Sequence, residues 1–211
     1  MATRADFTDE EWKALQEGIT GAGMFVALVD RGFFDSFKEA NALAHHLREA
    51  HEHSDSVLVR DLAAGVPFID RAVALNPNLA WAWLYSGWAR IWLGQPDAAI
   101  EHLAHAMRLS PLDPLIADVQ AATAHAHFFA GRYDEAASWA AMAVGARAAL
   151  YVAAAANALA GNMEEAAKAV ARLRQLDPTL RISNLRDVLG PYRSEDLAKY
   201  EAGLRQAGLP E

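Results

Sequence analysis

The chain contains no cysteine in its 211 residues, so it can form no disulfide, bind no metal through a thiolate and use no cysteine nucleophile. Near the N-terminus no apolar run approaches the roughly 20 residues that span a bilayer. The opening, MATRADFTDEEW, also lacks the basic and then apolar pattern of a signal peptide. These absences predict a cytoplasmic protein with no membrane partner.

Enzyme motifs are missing as well. The chain contains no GxSxG or HExxH pattern and no glycine-rich loop followed by lysine and serine or threonine. His45, Glu49 and His53 share one face of a predicted helix and could bind zinc, but this face points to solvent if Leu43 and Leu47 point to the core. We therefore expect no catalytic activity, no metal and no cofactor.

Positive charge is also scarce, since 19 Lys and Arg residues face 27 Asp and Glu residues, a net charge of −8. An acidic surface repels phosphate backbones, so we expect no nucleic-acid partner. A local excess of cations near the C-terminus leaves a phosphate-binding patch as an alternative to a solvated helix surface. It consists of Lys168, Arg172, Arg174, Arg181, Arg186 and Arg193.

What the chain does contain is an internal repeat. Three stretches align with one another on a shared glycine, at residues 80–113, 117–143 and 147–180. Their central parts include SGWARIWLGQPDAAIEHL, AHAHFFAGRYDEAASWA and AAANALAGNMEEAAKAV. The spacing predicts helix pairs with turns at Gly94, Gly131 and Gly161. Small residues should lie where the helices cross, at Ala99, Ala106, Ala136 and Ala166.

The first stretch resembles the tetratricopeptide (TPR) repeat. The matching positions are Trp83, Gly87, Gly94, Ala99, Leu103, Ala106 and Pro111. The resemblance implies an all-α, right-handed solenoid of antiparallel helix pairs. Ser194, followed by Glu195 and Asp196, predicts a last helix that ends near Ala207 and caps the C-terminal end of the stack.

Two parts are expected along the chain. Residues 1–65 predict about three non-repeating helices that end at Gly65 and cap the repeats, and residues 66–211 form the repeat domain. The words TDEEWKALQEGITGAGM and DSFKEANALAHHL resemble a small all-helical bacterial family without an assigned function. Residues 68–211 are similar to the C-terminal TPR region of bacterial nucleotide-cyclase or winged-helix regulators, which implies a regulatory or scaffolding module.

The TPR resemblance also implies a concave groove lined by the first helix of each pair. Its predicted lining is apolar and aromatic, and consists of Trp81, Leu84, Trp88, Ile91, Trp92, His125, Phe128, Phe129 and Tyr151. Aromatic residues are typical anchors for a protein or peptide partner, so we expect the groove to bind a partner helix. The alternative is a regulatory or structural domain whose groove is covered by its own N-terminal helices or by a second copy in a homo-oligomer.

Overall fold

The computed structural model describes residues 62–111 and 116–211. These residues form nine α-helices and no strand, so the described part of the chain is all-α as predicted. The helices are α1 (Leu62–Leu75), α2 (Ala80–Trp92), α3 (Pro96–Leu109), α4 (Ile116–Phe129), α5 (Tyr133–Met142), α6 (Arg147–Leu159), α7 (Met163–Leu176), α8 (Leu185–Val188) and α9 (Ser194–Gln206), with a 3-10 turn (Ile182–Asn184) before α8.

Three tight turns join α2 to α3, α4 to α5 and α6 to α7, and each contains a glycine in the left-handed region. Gly94, Gly131 and Gly161 have φ angles of 71°, 78° and 88°. In each turn, the N–H of the residue after the glycine donates to a carbonyl five residues back, for example Gln95 to Arg90 at 2.8 Å. Such bonds satisfy carbonyls that a helix end leaves open, so the three predicted turns are confirmed.

The repeated helix pairs build two packed layers. The first helices, α2, α4 and α6, contact one another in that order and form the central layer. The second helices, α3, α5 and α7, pack on these first helices. All four alanines predicted at helix crossings are buried in the core. A similar close approach occurs at Gly87 of α2, where a Cβ atom would lie 2.6 Å from the side chain of Leu103 in α3.

One predicted helix end is wrong. The sequence predicted that a helix ends at Gly65, but α1 continues through Gly65 and Pro67 to Leu75. A glycine or proline costs a helix about 1–3 kcal/mol, which packing can outweigh. Here Ala72 is buried in a cluster between α1 and α2, and Asp70 of α1 bonds Arg90 of α2 at 2.6 Å.

The predicted division between residues 65 and 66 therefore lies within α1. The first two predicted N-terminal helices and the start of the third fall in residues 1–61, outside the described residues, as do His45, Glu49 and His53. Their arrangement stays a prediction.

The last helix, α9, spans the residues that the sequence predicted, and ends before Gly208 with a φ angle of 94°. Ser194, predicted to cap this helix, is instead its first helical residue, and Arg193 occupies the N-cap position. Among the residues that the structure describes, no helix is long and apolar enough to cross a bilayer.

Candidate functional site

The C-terminal segment, defined as residues 189–206, lies against the central layer. Within it, α9 packs against α6. Two glycines allow very close approach: a Cβ atom on Gly190 would lie 2.6 Å from the indole nitrogen of Trp92, and one on Gly203 would lie 2.9 Å from the Cβ atom of Ala155. The segment therefore contacts both α2 and α6, and the last helix does more than cap the end of the stack.

Two tyrosines of the C-terminal segment enter an aromatic cluster on the central layer. The ring centroid of Tyr200 lies 5.1 Å from Phe128, 5.7 Å from His125 and 5.8 Å from Phe129, all in α4. The ring of Tyr192 lies 5.1 Å from Phe129 and 5.9 Å from Tyr200. These distances are typical of aromatic pairs in protein cores.

The cluster extends to α2 through two tryptophans. Trp88 and Trp92 stack with ring centroids 5.8 Å apart, and Trp88 lies 5.0 Å from the ring of His125. Aromatic side chains from α2, α4 and the C-terminal segment thus share one apolar core.

A buried hydrogen bond connects α9 to α4 at the centre of this cluster. The Nδ1 atom of His125 lies 2.8 Å from the carbonyl oxygen of Ala121, and its Nε2 atom lies 2.9 Å from the hydroxyl of Tyr200. A carbonyl oxygen can only accept, so Nδ1 carries the proton, and Nε2 of the neutral ring accepts from Tyr200. Burial raises the pKa of Tyr200, which keeps its hydroxyl protonated as the donor.

Most residues predicted to line the groove are buried, and the C-terminal segment lies against four of them, Trp92, His125, Phe128 and Phe129. Eight of the nine are at most 8% exposed, and they are Leu84, Trp88, Ile91, Trp92, His125, Phe128, Phe129 and Tyr151. Seven of these eight belong to one core cluster, and His125 is buried in α4 beside them. Trp81 is half-buried and packs instead on the smaller cluster of Ala72, Leu79 and Ala82 between α1 and α2.

Polar side chains of the C-terminal segment meet the carboxyl ends of the three central helices. The guanidinium of Arg193 lies against Gly94, just after the end of α2. A Cβ atom added to Gly94 would lie 1.9 Å from the Cζ atom of Arg193. The Lys199 ammonium lies 3.4 Å from the Phe129 carbonyl in the last turn of α4. The Gln206 amide donates to the Ala158 carbonyl in the last turn of α6 at 2.8 Å.

Arg193 is held in this position by two carboxylates of its own segment. It bonds Asp196 at 2.6 Å and Glu195 at 2.8 Å. The side chain of Asp196 is buried, and its pairing with Arg193 compensates the cost of burying its charge.

A second polar cluster lies between α2 and α3. Trp83 donates from its indole nitrogen to the carbonyl of Pro77 at 2.8 Å, and its ring contacts His102 and His105. The hydroxyl of Ser86 lies 2.8 Å from Nδ1 of His102. Trp83 therefore packs between α2 and α3, against His102 and His105.

Metal and phosphate sites receive no support from the described residues. Among residues 62–111 and 116–211, no group of three or more His, Asp or Glu side chains is placed to hold a metal ion. In the predicted cation cluster, Lys168 is paired with Glu164 and Glu165 at 2.8 Å each.

Sequence reasoning missed the contribution of the C-terminal segment to this site. Tyr192, Tyr200 and Gly203 were not among the predicted site residues, although two signals were available. Gly203 stands in the middle of a helix, where glycine is unfavourable and indicates close approach of another element. Leu197, Tyr200 and Leu204 follow an i, i+3, i+7 pattern that predicts one buried face.

The search for relatives adds no family to these observations. No protein-family model and no curated protein matches the chain.

Proposed function

We propose that this protein is a TPR-like interaction module whose groove holds an amphipathic helix, and that its own C-terminal segment occupies the groove until a partner displaces it. The repeated helix pairs with their shared glycine turns support the TPR-like interpretation. In such arrays the first helices present the surface that binds a partner helix.

One observation carries the proposal: Tyr200 of α9 lies among the residues predicted to anchor a partner and bonds His125, one of them. Tyrosine is a typical anchor in protein interfaces because it buries a large area with few rotatable bonds. The C-terminal segment contacts the central layer as a helical ligand would.

A partner helix has to replace the contacts that the C-terminal segment makes with the central layer. A partner helix gains only the difference between its own contacts and those of the C-terminal segment. The internal contacts include one neutral buried hydrogen bond, worth about 0.5–1.5 kcal/mol, and the long contact of Lys199. The partner must also replace the apolar contacts of the buried Leu197, Tyr200 and Leu204. We propose that the segment opens locally, as a unit separate from global unfolding.

The second candidate is a permanently closed regulatory or structural domain. The near-complete burial of the predicted groove residues favours it, since a core of this kind needs no partner. Under this alternative α9 belongs to the same cooperative unit as α2–α7.

Hydrogen exchange of backbone amides distinguishes the two candidates. If the segment opens locally, amides of α9 exchange with a lower opening free energy than amides of α4 and α6. Tyr200→Phe, which removes the hydroxyl that bonds the buried Nε2 of His125, should lower the opening free energy of α9 by about 1–3 kcal/mol more than that of α6.

The control is Tyr133→Phe, which removes a hydroxyl from α5, outside the C-terminal segment. It should leave the difference between α9 and α6 unchanged. Equal opening free energies for α9, α4 and α6 in the wild-type protein, with no separate effect of Tyr200→Phe, would reject the displaceable segment in favour of the closed domain.

A further inference from the structure

We infer that the groove selects a partner helix that carries a tyrosine and, three residues later, a glycine, both on its apolar face. This inference rests on the proposed function and specifies the chemistry of the partner. The occupant that the structure shows for the groove is the C-terminal segment of the same chain, so a partner that displaces it has to fit the same surface.

Charge does not distinguish one partner helix from another at this surface. The C-terminal segment contains three basic and three acidic side chains. Its most deeply buried side chains are Leu197, Tyr200 and Leu204, which are at most 3% exposed. Recognition therefore depends on the shape and the hydrogen bonding of this buried side.

His125 requires a hydrogen-bond donor from the occupant. Because Nδ1 donates to the carbonyl of Ala121, Nε2 is left as an acceptor, 2.9 Å from the Tyr200 hydroxyl. His125 is 2% exposed, so a partner with phenylalanine at this position would leave a buried acceptor unsatisfied. A site that bonds a hydroxyl strongly rejects an analogue without one.

The aromatic ring of the tyrosine is required as well as its hydroxyl. The ring of Tyr200 lies 5.1 Å from Phe128 and 5.8 Å from Phe129. Serine or threonine could supply a hydroxyl, but neither is large enough to fill this space, and an unfilled space in a core is costly. Tyrosine meets both requirements.

Ala155 of α6 restricts the residue that follows three positions later. A Cβ atom added to Gly203 would lie 2.9 Å from the Ala155 Cβ atom and 3.1 Å from its carbonyl oxygen. Because the backbone fixes both of these atoms, a larger residue would push the partner helix away from α6. Residues three apart lie on the same side of a helix, so one helix can present its tyrosine to α4 and its glycine to α6.

Peptide binding to full-length chains with a released segment tests this inference. Two receptors are Gly203→Val, in which the added side chain collides with Ala155, and Gly190→Val, which collides with Trp92. A third receptor combines Gly203→Val with His125→Phe, which removes the acceptor and keeps an aromatic ring. Circular dichroism checks that each receptor is folded, and hydrogen exchange of α9 checks that the segment is released.

The probe is a fluorescein-labelled peptide with the sequence of residues 189–211, compared with three variants of it. Tyr200→Phe removes the hydroxyl, and Gly203→Ala adds the Cβ atom. Ala202→Gly, at an exposed position of α9, measures how much helix propensity alone changes the affinity. Alanine is the better helix former, so Gly203→Ala would bind more tightly than the parent if Ala155 did not restrict this position.

On the two receptors that retain His125, we expect the Tyr200→Phe peptide to bind about tenfold or more weakly than the parent, because it leaves a buried acceptor unsatisfied. On the receptor with His125→Phe this loss should disappear. The Gly203→Ala peptide should bind about fivefold or more weakly than the parent on all three receptors, in spite of its higher helix propensity.

Three results would overturn the tyrosine and glycine requirement and leave the groove as a helix-binding site. They are equal affinities of the parent and Tyr200→Phe peptides for the receptors with His125, an equal loss on the receptor with His125→Phe, and tighter binding of Gly203→Ala. If no peptide binds a released receptor, or if release of the segment unfolds the receptors, both this inference and the proposed function fail.

Discussion

At the scale of single residues, the contact between His125 and Tyr200 places two polar groups in an otherwise apolar cluster. Both side chains are at most 2% exposed, and each satisfies the other. A buried polar group without a partner costs more than the net gain from one hydrogen bond, so this pair also fixes the position of α9 on α4.

Trp88 provides a direct measure of how deeply the predicted groove is buried. It is 4% exposed, so Trp88→Ala should reduce the free energy of unfolding by about 3–5 kcal/mol, the cost of truncating a buried large aromatic. Urea unfolding measures the change, with Trp139→Ala, at a half-buried position of α5, as the control. A smaller loss for Trp88→Ala than for Trp139→Ala would mean that the groove is open in solution.

Whether Gly203→Ala stabilises or destabilises the protein tests the contact between α9 and α6. At an unobstructed helix position, glycine to alanine stabilises a protein by about 0.5–1 kcal/mol. At Gly203 the new Cβ atom would lie 2.9 Å from the Ala155 Cβ atom and 3.1 Å from its Cα atom. Gly203→Ala should therefore lower the melting temperature, and a higher melting temperature would show that α9 does not pack there.

Two half-buried histidines predict a loss of stability in acid. Burial, reinforced by the charge of Arg90, lowers the pKa of His102 below 6.5, and burial with Arg132 does the same for His127. As the pH falls below about 6.5, the unfolded chain binds protons on these rings before the folded chain does, so the free energy of unfolding decreases.

The combined variant His102→Gln and His127→Gln tests this pH dependence. Urea unfolding at pH 8 and at pH 5.5 should show a smaller loss of stability on acidification for the variant than for the wild-type protein. An equal loss in both proteins would show that these two histidines do not titrate as described.

At the scale of helices, small residues set the distance between neighbours. Ala136 in α5 is fully buried, whereas Ala141 in the same helix is exposed. Ala136→Leu should reduce the free energy of unfolding by about 1–3 kcal/mol through overpacking. Ala141→Leu controls for the change in helix propensity and should be nearly neutral. Equal melting temperatures for the two variants would contradict the register of α5.

Some helix boundaries could be predicted from the sequence, and others could not. The turns at Gly94, Gly131 and Gly161 were predictable because a glycine with positive φ and the helix starts around it are local signals. The continuation of α1 through Gly65 and Pro67 was not, because packing on α2 overrides the local preference.

The candidate site could also be predicted only in part: its residues on the central helices could be, and the segment that covers them could not. The TPR resemblance placed the predicted groove residues of α2, α4 and α6 on one side, and all of them except Trp81 are buried. What covers that side depends on contacts between residues far apart in sequence, such as His125 and Tyr200, which are 75 positions apart. Neither periodicity nor spacing within α9 specifies which helix it packs on.

At the scale of the whole molecule, the central layer lies between the second helices and the C-terminal segment. Because α9 packs on α6, Lys199 of α9 reaches α4, and Gly190 and Arg193 before α9 lie against α2, the segment joins all three repeats. Its removal would expose aromatic surface from two of them, including Trp92 and Phe129. Such surface is what an interaction module offers to a partner.

The absence of cysteine makes this arrangement directly testable by a designed disulfide. In Ala155→Cys combined with Gly203→Cys, the two Cβ atoms would lie 2.9 Å apart, which is shorter than the Cβ–Cβ distance of a disulfide, so the bond requires α9 to move away from α6 by about 1 Å. Ala155→Cys with Ala202→Cys is the control, since Ala202 is exposed on α9. Mild oxidation followed by non-reducing gel electrophoresis should give a cross-linked monomer for the first pair only. Free thiols in the first pair, or cross-linked dimers in place of monomers, would contradict a groove covered by the chain's own C-terminal segment.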